Sequence, residues 1–139
     1  MKRAIIVRGQ SGSGKTSVLM NVHSWIMSTY SPSILYDAFW TTDIFQIFTI
    51  GGIKIGFCSA GDEGADVQSF LDDCILHKCD LIIGACRGKQ STYNAVKTTL
   101  TYPSFIVNWT ITYKVASHLV TSYNLQWFDE VKALLIGLN

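Results

Sequence analysis

The residues with the clearest chemical potential lie near the start of the chain, in the run GQSGSGKT at residues 9–16. Its glycines allow backbone turns and a close approach, so successive N–H groups from Gln10 to Lys15 can surround a phosphate. Lys15 adds a positive charge for the outer phosphate oxygens, and the Thr16 hydroxyl can coordinate a Mg²⁺ ion that bridges them. The run therefore predicts a polyphosphate site with Mg²⁺. Its expected binding residues are Gly9, Gln10, Ser11, Gly12, Ser13, Gly14, Lys15, Thr16 and Ser17.

The run resembles the phosphate-binding loop of P-loop NTPases, and this resemblance implies a second protein contact to Mg²⁺ from an Asp at the end of a strand beside the phosphate-binding strand. Asp62, in a glycine-flanked turn after the run IKIGFC, is the first candidate. Asp37 ends the run ILYD, where it could hold the metal, contact an acceptor or cap a turn. Arg87 follows the apolar run DLIIGAC, where it could clamp phosphate oxygens or simply be solvated. The catalytic candidates are Lys15, Asp62 and Arg87, and the candidate metal ligands are Thr16, Asp62 and Asp37.

The surrounding sequence predicts the elements that position these residues. An Ile- and Val-rich run at residues 3–7 is typical of a buried strand, and helical spacing of apolar residues follows from Thr16 until Ser31-Pro32. Gly51-Gly52 joins two apolar runs and predicts an antiparallel hairpin. Further strands are expected at residues 33–37, 81–86 and 105–110. Further helices are expected at residues 67–75, at 91–100 with Ser91 as the cap, and at 127–138. Residues 113–123 fit a strand, a helix or a loop.

Strands that alternate with helices predict an α/β fold, a three-layer sandwich with helices on both faces of a mostly parallel sheet and one antiparallel hairpin. The 139 residues match one typical domain, so we expect a single domain over residues 1–139. The composition, 48% hydrophobic and 15% charged, excludes an intrinsically disordered chain.

The glycine-rich run, preceded by an apolar strand and followed by a helix, resembles the P-loop (Walker A) motif of the P-loop NTPase superfamily and matches G-x-x-x-x-G-K-[ST] throughout. This resemblance implies the P-loop nucleoside triphosphate hydrolase fold and binding of a nucleoside triphosphate with Mg²⁺. Residues 58–63, CSAGDE, are also similar to the switch II region of small GTPases, where the family has Asp-Thr-Ala-Gly-Gln. Cys58, however, replaces the Mg²⁺-linked Asp of that family, and no guanine-reading Asn-Lys-x-Asp is present. ATP is therefore the expected ligand, ahead of GTP.

Charge and hydropathy exclude several partners. The net charge of +1 comes from scattered basic residues, so no basic stripe for nucleic acid is present. The longest apolar stretch, residues 45–57, is interrupted and too short to span a membrane, and Arg8 ends the apolar run that a secretory signal would need. The four cysteines form no CxxC pair and are expected to be reduced core thiols. A cytoplasmic protein is expected.

Two functions follow from this pattern. The first is a small MgATP-dependent NTPase or kinase-like phosphotransferase that passes the terminal phosphate to water, a small molecule or a protein acceptor. Three arginines are too few for the Arg-rich lid of familiar nucleotide kinases, which favours slow turnover. The alternative is a nucleotide-responsive, GTPase-like switch without efficient turnover, in which occupancy orders residues 59–64 and changes a protein interface.

Overall fold

The computed structural model describes residues 2–10, 12–39, 43–87, 90–101 and 103–137. These residues form an α/β structure with six strands and four α-helices. In chain order the elements are β1 (Lys2–Arg8), α1 (Lys15–Tyr30), β2 (Ser33–Phe39), β3 (Ile44–Ile50), β4 (Ile53–Cys58), α2 (Gly64–Leu76), β5 (Leu81–Cys86), α3 (Gln90–Thr99), β6 (Phe105–Ile111), a 3₁₀ turn (Ser117–Leu119) and α4 (Val120–Ile136). The α/β class predicted from the sequence is confirmed.

The strands form one mixed sheet in the order β2-β3-β4-β5-β1-β6. The pairs β4–β5, β5–β1 and β1–β6 are parallel, whereas β2–β3 and β3–β4 are antiparallel. The predicted hairpin is confirmed, because Ile50 pairs with Ile53 across Gly51-Gly52.

A second antiparallel pair, β2 with β3, was not predicted. Only residues 40–43 separate Phe39 from Ile44, whereas a parallel connection needs a dozen or more residues. The short connection therefore makes β2 the outer neighbour of β3 and the edge of the sheet. Because β2 continues to Phe39, Asp37 lies inside the strand and not at its end, which corrects the predicted boundary.

Apolar side chains fill both faces of the sheet. In β1, Ile5 and Val7 belong to one cluster and Ala4 and Ile6 to the other, as expected when successive side chains point to opposite faces. The first cluster is covered by α1 and α4, and the second by α2 and α3. The helices therefore lie on both faces, and the three-layer arrangement is confirmed.

Some helix ends differ from the prediction. Ser91 lies inside α3 and does not cap it. The closing helix starts at Val120, earlier than predicted. Its first turns are largely exposed and carry no clear apolar spacing, so the sequence pattern did not indicate them. No helix in the described ranges combines the length and apolar character required to cross a bilayer.

Candidate functional site

The glycine-rich loop, residues 9–16, links β1 to α1 at the carboxyl end of the sheet. Gly12 and Gly14 have φ values of +79° and +95°, a conformation that residues with a Cβ rarely adopt. Gly14 is the N-cap of α1, and no described side chain caps the N-terminal N–H groups of this helix. Thr16 and Ser17 are exposed in its first turn. Ser11 lies outside the described residues. The Ser13 N–H donates to the Gln10 carbonyl oxygen at 3.1 Å, whereas the first turn of α1 has no side-chain cap, as an anion-binding helix terminus requires.

Lys15 is the buried cation of the site. Only 5% of its side chain is exposed, and its Nζ donates hydrogen bonds to three acceptors. It donates to the carbonyl oxygens of Gly9 and Gln10, at 2.8 and 3.0 Å, and to Asp62 Oδ1, at 3.0 Å. These bonds offset the desolvation cost of burying an ammonium group.

Asp62 follows β4, a strand that is not adjacent to β1. The strand before Asp62 was expected beside the phosphate-binding strand, but β5 lies between β4 and β1. The chain after β4 crosses the end of β5 at Gly61, where a Cβ would lie 2.7 Å from Ala85 Cβ and 2.8 Å from its carbonyl carbon. Only a glycine permits this crossing, which carries Asp62 over β5 to Lys15.

Ser59 fixes the start of the same crossing segment. It exchanges backbone and side-chain hydrogen bonds with Ile44, since its N–H donates to the Ile44 carbonyl at 2.9 Å and its Oγ accepts from the Ile44 N–H at 2.9 Å. The Ser59 hydroxyl also donates to Asp43 Oδ1 at 2.8 Å. The segment from Ser59 to Asp62 is therefore held at both ends.

Arg87 approaches Asp62 from the end of β5. Its Nε lies 3.6 Å from Asp62 Oδ1, the same oxygen that Lys15 contacts. Its backbone N–H donates to the buried Thr92 hydroxyl in α3 at 2.8 Å. Lys15, Asp62 and Arg87 thus lie together, with two cations around one carboxylate. The surplus positive charge suits an anionic ligand.

A cavity of about 470 Å³ lies against the glycine-rich loop and Asp62. Its second wall comes from the chain after β6 and from α4, and no motif in the sequence predicted this wall. Residues 113–123 have no regular apolar period that would predict a helix or a strand. Their one available signal was their place after β6, because β6 is parallel to β1 and the two strands end at the same edge of the sheet. The second wall consists of Tyr113, Lys114, Val115, Val120, Asn124 and Trp127.

Asp37 is not part of this group. It lies on the edge strand β2, opposite Gln46, and β3, β4 and β5 separate it from β1. Four strand spacings of about 4.8 Å place the two strands roughly 19 Å apart. The structure therefore does not bring Asp37 to Lys15, and its assignment as a metal ligand at this site is corrected.

The nearby thiols are not suited to nucleophilic chemistry. Burial raises the pKa of both Cys58 and Cys86 to about 12, so both remain protonated at neutral pH. The polar groups that the site offers are ammonium, guanidinium, carboxylate and hydroxyl groups, together with the N–H groups of the first turn of α1.

Thr16 and Asp62 both line the cavity and offer oxygen atoms to a metal. Such a pair fits Mg²⁺, which usually takes one or two protein oxygens together with substrate phosphates and water. No group of three or more His, Cys, Asp and Glu side chains in the described residues is arranged to hold a metal.

No family model, curated protein or solved structure matches the chain.

Proposed function

We propose that the protein binds ATP with Mg²⁺ in the cavity beside the glycine-rich loop, and that its fold is of the P-loop NTPase type. The observation that carries the proposal is the position of Lys15, between the loop carbonyls and Asp62 and beside the open N-terminus of α1. A triphosphate is the ligand class whose charge and many acceptor oxygens match these donors. The aromatic and apolar residues of the second wall, Tyr113, Val115, Val120 and Trp127, offer a surface for the nucleoside.

Each residue then has a separate task. Loop N–H groups and the first turn of α1 bind phosphate oxygens, while Lys15 and Arg87 balance charge on the terminal phosphate. Thr16 and Asp62 hold Mg²⁺, which neutralises phosphate charge when bound. The proposed reaction is transfer of the terminal phosphate to water or to an acceptor, either a small molecule or a protein. This is the activity of a small ATPase or a kinase-like phosphotransferase.

The test begins with calorimetric titration of non-hydrolysable ATP and GTP analogues in the presence of Mg²⁺. Measurement of phosphate release from the preferred nucleotide follows, with Arg87→Lys and Asp62→Asn as variants. We expect selective ATP binding, and a release rate that falls at least about tenfold in Asp62→Asn because Mg²⁺ is held less well. ATP binding by the wild type without phosphate release, either alone or with any acceptor tested, would overturn the proposed enzymatic activity.

A second candidate function is a nucleotide-responsive switch. It is favoured by the bond from Lys15 to Asp62, which links the crossing segment of residues 59–63 directly to the proposed phosphate site. A phosphate at Lys15 would change this bond and, through the segment, the surface near α2. Hydrogen exchange of residues 56–68 should then differ between the triphosphate and diphosphate forms, and equal protection would overturn the switch.

We also infer a cytoplasmic location. All four cysteines are buried free thiols, a state typical of proteins in a reducing compartment.

A further inference from the structure

Lys114 lies over the glycine-rich loop on the other side of β1 from Asp62. It follows β6, whereas the segment that carries Asp62 crosses β5, and β1 lies between these two strands. A Cβ at Gly12 would lie 3.3 Å from Lys114 Cε and 3.9 Å from its Nζ. Two lysines, Lys15 and Lys114, therefore line the same cavity.

The chain just before Lys114 is anchored to the loop. The Thr112 N–H donates to the Arg8 carbonyl oxygen at 2.8 Å, and its Oγ1 forms a 2.7 Å hydrogen bond with Ser13 Oγ. Both hydroxyl residues are buried. A side chain at Gly9 would collide with Thr112, so the two segments lie in direct backbone contact. These contacts fix the position from which Lys114 reaches over Gly12.

Within the part of the chain that the structure describes, no protein group compensates the charge of Lys114. Among the described residues it has no ion pair or hydrogen bond, whereas Asp62, an acidic residue that lines the cavity, is bound by Lys15. The side chain is exposed, so its ammonium is available to a ligand. A cation held over a glycine-rich loop, beside a second cation, is complementary to a chain of phosphates.

We propose that Lys114 is a second phosphate-binding lysine, which contacts the phosphate chain of the ligand that Lys15 binds. The inference rests on the proposed function, because it requires a polyphosphate in the loop. It assigns a role in ligand binding to a residue outside the glycine-rich motif. The recognised group is the polyphosphate itself, so the contact does not depend on the base.

Titration of Mg²⁺-bound ATP analogue and of inorganic tripolyphosphate into Lys114→Met tests the proposal. The variant keeps the length of the side chain and loses its charge. Both ligands should bind about tenfold more weakly, as expected for one lost charge-assisted hydrogen bond. Lys114→Arg should stay within about threefold of the wild type, since it keeps the charge. Because Lys114 is exposed, thermal unfolding without ligand should be unchanged.

Lys97→Met is the matched control. Lys97 is an exposed lysine of α3 whose Nζ lies 5.2 Å from the Tyr93 ring centroid, outside the residues that line the cavity. Its loss changes the net charge equally and should alter affinity less than about twofold.

The outcomes separate the two proposals. If the wild type binds neither ligand, the proposed function fails and the Lys114 contact fails with it. If the wild type binds both and Lys114→Met binds them equally well, only the Lys114 contact is overturned. If Lys114→Met weakens ATP binding but leaves tripolyphosphate binding unchanged, Lys114 contacts the nucleoside. That result would also contradict the proposed phosphate contact.

Discussion

The Lys15 ammonium and the Asp62 carboxylate, 47 positions apart in sequence, meet in a 3.0 Å ion pair. An ammonium group has three N–H donors, and the other two face the Gly9 and Gln10 carbonyl oxygens. A phosphate oxygen therefore has to compete for a donor that already has a partner. Asp62, with 44% of its side chain exposed, is the partner most easily exchanged.

This competition predicts an unusual effect of Asp62→Asn. Removing the carboxylate charge frees Lys15, so ATP without metal, in excess EDTA, should bind roughly three- to tenfold more tightly than to the wild type. In Mg²⁺ the gain should shrink or reverse, because the variant has lost a metal ligand. Titrations in EDTA and in Mg²⁺ measure both effects.

Glu63→Gln is the control for this experiment. Glu63 is the exposed neighbour of Asp62 at the N-cap of α2, and its replacement removes the same charge. If both variants bind metal-free ATP with the same affinity, the competition does not exist.

Gly61→Ala should separate Asp62 from Lys15. The new Cβ would lie 2.7 Å from Ala85 Cβ, so the crossing segment has to move away from β5. We expect a loss of about 1–3 kcal/mol in the free energy of unfolding, measured by urea denaturation. The control is Gly137→Ala, where φ is −69° and the nearest atom is 3.3 Å from the new Cβ. A Gly61→Ala variant as stable as this control would show that the crossing is not tight.

Thr112→Val tests the attachment of the chain after β6 to the glycine-rich loop. The change leaves the buried Ser13 hydroxyl without its 2.7 Å partner, which should cost about 1–3 kcal/mol of folding stability. A double-mutant cycle with Ser13→Ala should give a smaller loss than the sum of the two single losses. Strict additivity would mean that the two hydroxyls do not interact. Thr98→Val, at an exposed residue of α3, is the control for loss of a threonine hydroxyl.

The buried Cys58 thiol predicts a stability loss at alkaline pH. Its folded pKa, about 12, lies above its ordinary value of 9.0, so the native state favours the protonated thiol. The resulting stabilisation is fully present below pH 9 and is lost as the pH rises from there toward 12, with a slope of up to about 1.4 kcal/mol per unit. Urea denaturation at pH 8 and pH 10.5 should show a smaller decline for Cys58→Ala than for the wild type. Equal declines would contradict burial of this thiol.

Local signals made much of the fold predictable. The apolar run of residues 81–86 coincides with β5, and helical spacing from Thr16 to Ser31-Pro32 found α1 almost to the residue. Strand order depends on contacts between distant segments, so the sequence could not show that β5 separates β4 from β1 or that β2 is an edge strand. The ion pair between Asp62 and Lys15 depends on the close approach of Gly61 to Ala85. A contact between such distant residues cannot be predicted from a local sequence pattern.

The second wall of the cavity escaped prediction for a similar reason. Tyr113 and Lys114 belong to an irregular segment without apolar period, and only the parallel pairing of β6 with β1 brings that segment to the loop. The motif identified one half of the candidate site, and tertiary contacts supply the other half.

The most direct test of the proposed ATP site is calorimetric titration of a non-hydrolysable ATP analogue with Mg²⁺ into the wild type, Lys15→Ala and the control Lys97→Ala. Circular dichroism should first establish that Lys15→Ala keeps its fold. We predict saturable binding to the wild type and the control, and affinity at least about tenfold weaker in Lys15→Ala, because the buried ammonium is lost. Equal affinity in a folded Lys15→Ala variant, or no binding to the wild type, would contradict the account.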